Sequence, residues 1–278
     1  MSDANRIRSN IQALNVMQAL RRVNNQVGMH QLRLATGRRI NSAGDDPAGL
    51  TIATKLQSRN KILQQIFDNI GEAKNLMGVA EGGLSQINDI LTEVGVKIER
   101  AASDGIGTSE RQAISAQIVQ LINEVDSIAD ETEFNGTKLL NATTTFTFQT
   151  NERNQTVFST VAYDAASLQM TQLNALTGTS VINSTNYLTY LNEVDAARNT
   201  VLGGLSDLGS LINRFSLKEE AIQVAQINTE AAYSRIMDAD LAMEQLNLTK
   251  FQILQQSTTA MLAQSNLSGQ AVLALIGD

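Results

Sequence analysis

Residues 52–101 read IATKLQSRNKILQQIFDNIGEAKNLMGVAEGGLSQINDILTEVGVKIERA. One row of positions holds Leu56, Leu63, Ile70, Met77, Leu84, Leu91 and Ile98. A second row holds Ile52, Arg59, Ile66, Ala73, Ala80, Ile87, Val94 and Ala101, and only Arg59 in it is polar. Taken together, the spacings alternate between four and three residues. That period gives a narrow apolar seam that follows a partner helix around a shallow left-handed supercoil. At the rise of an α-helix the stretch would be roughly 75 Å long. It is too long and thin for the inside of a compact enzyme, and it reads as a rod.

Outward from this ladder the pattern stays helical. Upstream, residues 4–36 carry Ile7, Ile11, Leu14, Met17, Leu20, Val23 and Val27 at gaps of three and four. Asp3 is placed to cap that helix, and Gly37 sits where it would end in a left-handed residue. Residues 38–44 form a connector. The rod helix, spanning about 46–104, then opens at Asp46 and Pro47, an N-cap followed by proline in the first turn. Gly105 and Gly107 end it. A second heptad helix over about 109–131 follows, with a Ser109/Gln112 capping box and a seam of Ile114, Ile118, Leu121, Val125 and Ile128. The connection is short, so this helix folds back antiparallel.

Residues 134–185 change character. Asn135-Gly136 is a turn signal, and the alternation at Thr145–Phe148 and Thr156–Val161 reads as a β-hairpin. Its Ser, Thr and Asn content suggests a small exposed insertion. A third heptad helix spans about 187–237, with Leu191, Val194, Val201, Leu205, Leu208, Ile212, Phe215, Ile222, Tyr233 and Ile236 on its seam. Arg198, Glu219 and Gln226 interrupt it. The last stretch is amphipathic again, through Leu241, Leu248, Phe251, Leu254, Met261, Leu262, Val272 and Leu275. The expected fold is mainly α: an elongated antiparallel helical bundle or coiled coil with a small β-hairpin insertion. Its parts are a 45–238 rod and paired terminal helices from 1–44 and 239–278.

Charge supports that pairing. Residues 1–44 hold seven Arg and no Lys against one Asp (7 − 1 = +6), and residues 238–278 hold one Lys against three Asp and one Glu (1 − 4 = −3). The two ends are oppositely charged amphipathic helices. A single apolar stripe on such a helix cannot be covered by one partner alone. At about 25 cal/mol per Å² of apolar surface, covering a 30-residue stripe is worth several kcal/mol. If the partner is another copy and the contact is head-to-tail and not two-fold, it grows an open helical filament; periodicity alone leaves open whether the partner is self or another protein.

Other function classes are disfavoured. A net charge of −7 makes the chain a poor general ligand for nucleic acid. Without cysteine there is no disulfide framework or thiolate chemistry. No continuous apolar run is long enough to span a membrane, and the N-terminal pattern is amphipathic where a secretory signal has an apolar core. No cofactor is expected. His30 is the only histidine, so a His-based metal site or catalytic triad lacks its parts; it reads as a surface or interface residue. Asp45 and Asp46, and the Asp238, Asp240, Glu244 group, stand at helix starts, where carboxylates favour the helix dipole. An enzyme in which Asp45, Asp46, Asp238 and Asp240 converge on a metal is the competing reading. Gly78, Gly82 and Gly83 lie off the seam and suit the close approach of another helix.

Several segments resemble the bacterial flagellins. They are residues 34–53 (LATGRRINSAGDDPAGLTIA), 134–140 (FNGTKLL), 234–240 (SRIMDAD), 252–256 (QILQQ) and 263–266 (AQSN). The resemblance covers both terminal thirds. It implies a structural subunit, with no catalytic site, that polymerises into the extracellular filament used for swimming. The terminal helices would line a central channel as a coiled coil. The heptad helices would form the next shell, and the short middle leaves no room for large outer domains. Further implied are export through the flagellar type III apparatus without a cleaved signal and an export chaperone on residues 240–278. The resemblance also implies contacts with the filament cap and with hook–filament junction proteins. Two alternatives are a junction protein of the same family and a chemoreceptor-like signalling rod; the latter would lack the β insertion. Many flagellins are sensed by an animal Toll-like receptor through an Arg and a Leu on the first rod helix and a Glu on the second. The matching positions here hold Glu93, Lys97 and Gln117. One charge is reversed, an apolar knob is lost and an anion is removed, so weak or absent sensing is expected.

Overall fold

In the computed structural model, residues 10–176 and 181–276 are described. Ile7 and the Asp3 cap lie outside them, as do the side chains of Val272 and Leu275. Six helices and two strand pairs run in the order α1 (Ile11–Thr36), α2 (Pro47–Ala102), α3 (Thr108–Glu131), β1 (Glu133–Phe134), β2 (Thr137–Lys138), β3 (Thr145–Gln149), β4 (Gln155–Ser159), α4 (Thr171–Asn174), α5 (Tyr187–Met237) and α6 (Leu241–Ile276). No helix among the described residues is long and apolar enough to cross a membrane. The chain divides into two compact units, one made of residues up to Asn60 with those from Ile227 onward, the other of Lys61–Gln226.

The core of the Lys61–Gln226 unit grows from the α2 ladder. Leu63, Ile70, Met77, Leu84, Leu91 and Ile98 are all buried, and so are Ile66, Ala73, Ala80, Ile87, Val94 and Ala101. Leu76 is buried as well. The stripe is therefore wider than a two-stranded seam, because packing comes from more than one side. α5 supplies Val194, Ala197, Val201, Leu208, Phe215 and Ile222. It runs antiparallel to α2: Lys74 pairs with Glu219 at 2.8 Å, and Gln226 donates to Gln64 at 2.8 Å.

α3 returns antiparallel along α2, and two details differ from the sequence reading. It begins one residue before Ser109, with Gly107 as the extended cap whose N–H donates to Glu110 at 3.3 Å. The Ser109/Gln112 box is not used, since Glu110 already reaches back to the cap. Its buried face is Ile114, Ile118, Ile122, Val125 and Ala129, while Leu121 and Ile128 are only half-buried. A short helix keeps the straight 3.6-residue period and drifts off a heptad row after two turns.

The β segment also corrects an expectation. Residues 134–185 are not a purely exposed appendage: Leu139, Leu140, Ala165, Leu168, Met170, Leu173 and Ile182 are buried in the same core. Its hydroxyls satisfy one another, which lets them leave water. Thr150 and Thr156 share a bond of 2.8 Å, and the Thr160 hydroxyl donates to the carbonyls of Ala142 and Thr144, both at 3.1 Å. β3 and β4 pair antiparallel with Phe146 opposite Phe158, and Phe148 meets Phe215 of α5 edge-on at 6.1 Å. Asn135 and Gly136, at φ 51° and 78°, form the tight turn between β1 and β2, where both central residues must enter the left-handed region. Of Gly78, Gly82 and Gly83 on α2, only Gly83 is closely approached. The neighbours are Thr132 and Leu140, not a helix face; Gly78 and Gly82 look onto open space.

In the other unit, α1 and α6 lie side by side, and the turn at residues 37–46 sits against the α5–α6 junction. Gly37 ends α1 in the left-handed region (φ 68°), with its N–H on the Arg33 carbonyl. A small core of Ile40, Ala53 and Met237 closes beneath this turn. Leu56 is half-buried and Ile52 exposed, so the ladder's first turns are less covered than the rest.

Candidate assembly site

The α1–α6 pair is antiparallel. Asn10 donates to the Ser265 carbonyl at 2.9 Å, Gln255 to Asn24 at 2.8 Å, and Arg33 to Glu244 at 3.3 Å. Asn10 also caps α1 by accepting from the Ala13 N–H at 2.9 Å. Between the helices lie buried Ala13, Val27 and Leu248, flanked by half-buried Ile11, Leu20, Phe251 and Leu262. At one end His30 and Glu244 are both buried and directly bonded through Nδ1 and Oε2, and the imidazole stacks on Phe251 at 5.2 Å. His30 is thus no surface residue. Its partner is a carboxylate that spacing along the chain could not reveal, 214 residues away. Arg33 adds a cation to the same carboxylate, so the buried charge is paired and oriented.

Pairing leaves the outer faces bare. Of the residues singled out for polymerisation, Leu14, Met17, Leu241, Leu254 and Met261 are exposed, Leu14 by 57 % and Met261 by 59 %. Leu248 is turned inward. Sequence reading missed Leu32, Met243, Leu246, Ile253 and Leu267, which are also exposed, Leu246 by 67 %. They lie off the single stripe marked by the three- and four-residue spacing. The signal was present: α6 carries apolar residues around more than one face, the mark of a helix with more than one neighbour.

The turn at residues 37–46 holds the two chain ends in register. The Arg39 N–H donates to the Met237 carbonyl at 2.6 Å, and the Ala239 N–H to the Gly37 carbonyl at 2.9 Å. The Arg39 guanidinium donates twice to the Ile236 carbonyl, at 3.1 and 2.9 Å. Each carboxylate once weighed as a metal ligand has a local structural partner. Asp45 accepts from the backbone N–H groups of Asn41 and Ser42, which hold its carboxyl below the ordinary aspartate range. Asp46 caps α2 through the Gly49 N–H at 2.8 Å, and Asp240 caps α6 through Ala242 and Met243 at 3.0 and 3.1 Å. Asp238 accepts from the Ser234 hydroxyl at 2.6 Å. Among the described residues no group of three or more His, Cys, Asp or Glu side chains could hold a metal ion. Gly49 is required here. A Cβ would stand 2.8 Å from Ile40 Cδ1 and overlap the Asp46 carboxylate.

On the Lys61–Gln226 unit, Glu93, Lys97 and Gln117 come together. The Lys97 ammonium lies 3.4 Å from Glu93 and donates to Gln117 at 3.1 Å. These contacts form a polar bridge between α2 and α3.

What these units define is a helical assembly subunit, built of long amphipathic helices whose apolar edges outnumber their partners within one chain. Residues 7–145 match the model of the bacterial flagellin N-terminal helical region, and residues 191–276 that of the C-terminal helical region. Flagellin FlaB1 of Treponema pallidum is 30 % identical across 97 % of this chain and 99 % of its own length. A flagellin of Halalkalibacterium halodurans is 31 % identical across 97 % and 99 %. A solved hook-associated protein from Vibrio parahaemolyticus, 13 % identical, shares the fold over 70 % of this chain and 100 % of its own, with a TM-score of 0.60. The chain belongs to the bacterial flagellin family. It is a filament subunit, a structural protein and not an enzyme, and flagellar filaments are extracellular.

Proposed function

We propose that α1 and α6 are the polymerising element, and that the outer face of their pair is covered by the same helices of neighbouring subunits. The observation that carries this is the row Leu14, Met17, Leu241, Leu246, Ile253 and Met261, large apolar side chains left in water by helices that are already paired. In a filament, residues 1–44 and 239–278 form the inner coiled coil, and 45–238 the surrounding rod shell. Burial of Leu63, Ile70, Met77, Leu84, Leu91 and Ile98 supports an internal role for that seam, with half-buried Leu56 at its end. Deleting residues 1–36 or 241–278 leaves a folded, soluble Lys61–Gln226 unit that neither sediments nor shows filaments by electron microscopy after a salt jump. Filaments of normal length from either truncation overturn the reading.

The subunit travels through the flagellar type III apparatus. An export chaperone holds residues 240–278, and assembly takes place beneath a cap onto hook–filament junction proteins. The exposed apolar face of α6 supports a chaperone, since such a face in an unassembled chain needs cover. Copurification of a small helical protein with the full chain, lost on removing 241–278, tests this. At Glu93, Lys97 and Gln117 the Toll-like receptor finds a salt-bridged polar patch, so it binds weakly or not at all. Full activation of receptor-expressing cells by nanomolar purified monomer would refute this.

A further inference from the structure

The chain carries a net charge of −7, so a cluster of unneutralised cations is out of character. One exists where the β3–β4 hairpin meets α5. Arg214 and Lys218 are one helical turn apart, a like-charge spacing that disfavours the helix. Arg153 joins them from the turn between β3 and β4. With the amides of Gln149, Asn154 and Gln155 they line an open cavity of about 490 Å³, and no carboxylate is among the described residues lining it. None of the three cations forms an ion pair with a described residue. Lys218 is fixed at the base, its ammonium donating to the hydroxyls of Thr150 and Thr156, both at 2.7 Å. Those acceptors use two of its three N–H groups. Burial first, and then the Arg214 charge, lower the Lys218 pKa, so the ammonium lacks the anion that would favour its charge.

We propose that this basket is a binding site for a compact oxyanion, a phosphate or sulfate group, carried free or as the ester of a sugar-sized ligand. Three cations converging from two elements match the several acceptor oxygens of such a group, and arginine forks favour bidentate contacts to it. The surrounding amides suit the hydroxyls of an attached sugar, and the volume lies within the range of small-molecule sites. A neighbouring subunit's carboxylates are the competing occupant, but a flat protein face would leave a hollow of this size unfilled.

Calorimetric titration of the full-length monomer at low salt tests the assignment. The probes are inorganic phosphate, glucose 6-phosphate and uncharged glucose. The expected result is saturable one-to-one binding of the two anions, silence with glucose, and weakening by added salt. Equal affinities identify the free anion as the source; tighter glucose 6-phosphate identifies the ester. Arg214→Gln weakens binding about tenfold, the loss of one charged hydrogen-bond partner. The Arg153→Gln/Arg214→Gln double variant abolishes it. Both arginines are exposed, so the circular dichroism and melting of these variants stay unchanged. No saturation by either anion at millimolar concentration, or unchanged binding in the double variant, overturns the proposal. Absence of binding together with lost polymerisation in the double variant overturns it in favour of the neighbouring subunit's carboxylates.

Discussion

At the scale of single residues, the His30–Glu244 pair tests most sharply how the terminal helices are held. Removing Glu244 leaves the buried imidazole without its hydrogen-bond partner, at a cost of about 1–3 kcal/mol. Glu244→Ala therefore lowers hydrogen-exchange protection along α1 and α6, whereas a volume-matched apolar pair, His30→Leu with Glu244→Met, restores it. Asp45 contributes in a pH-dependent way. Its folded pKa lies below the unfolded value because Asn41 and Ser42 donate to the carboxylate. The stability it supplies is thus present above the unfolded pKa and lost as pH falls through the folded one. Acid denaturation of wild type and Asp45→Asn should converge only as pH falls through that lowered folded pKa, beneath the ordinary aspartate range. Curves that stay parallel would remove Asp45 from the account. The capping roles of Asp46 and Asp240 were legible from their positions before helices; Asp45 and Asp238 instead bond to Asn41, Ser42 and Ser234 nearby, and the Glu244 bond to His30 joins residues 214 apart, beyond the reach of local pattern.

Elements show where periodicity succeeds and where it drifts. The α2 ladder was readable because a long helix keeps a constant environment, and each row from Leu63 onward is buried. α3 was read one position off after Ile118, at Leu121 for Ile122 and Ile128 for Ala129, since nothing in its sequence separates a 3.5 from a 3.6 period over so few turns. The two adjacent glycines of α2 give a paired prediction. Gly82 faces open space, so Gly82→Ala raises stability by about 0.5–1 kcal/mol through helix propensity. A Cβ on Gly83 would stand 2.6 Å from Thr132 Oγ1 and 2.7 Å from Leu140 Cδ1, so Gly83→Ala lowers it by about 1–3 kcal/mol. Urea midpoints of the two variants should move in opposite directions. Met77→Ala, which opens a void in the fully buried ladder, costs more, about 2–5 kcal/mol.

For the whole molecule, the decisive quantity is apolar surface that one chain cannot cover. Replacing Leu246, Ile253 and Met261 together by Gln removes exposed apolar area, so the monomer keeps its stability while polymer yield after a salt jump falls steeply. Sedimentation reads the second effect and thermal melting the first. Unimpaired polymerisation would show that the outer face of α6 is not the contact.

The sequence by itself determined the long helices, the Asp46 start of α2 and the Gly37 end of α1, the antiparallel return of α3 and the family, because these depend on local periodicity, turn chemistry and short connections. Only the tertiary structure decided which face of each helix was already covered. It alone brought Lys97 between Glu93 and Gln117, set Arg153 beside Arg214 and Lys218, and showed that a segment rich in Ser, Thr and Asn helps fill a core. Burial and long-range polar pairing depend on distances between residues far apart in the chain, and a one-dimensional pattern does not contain those distances.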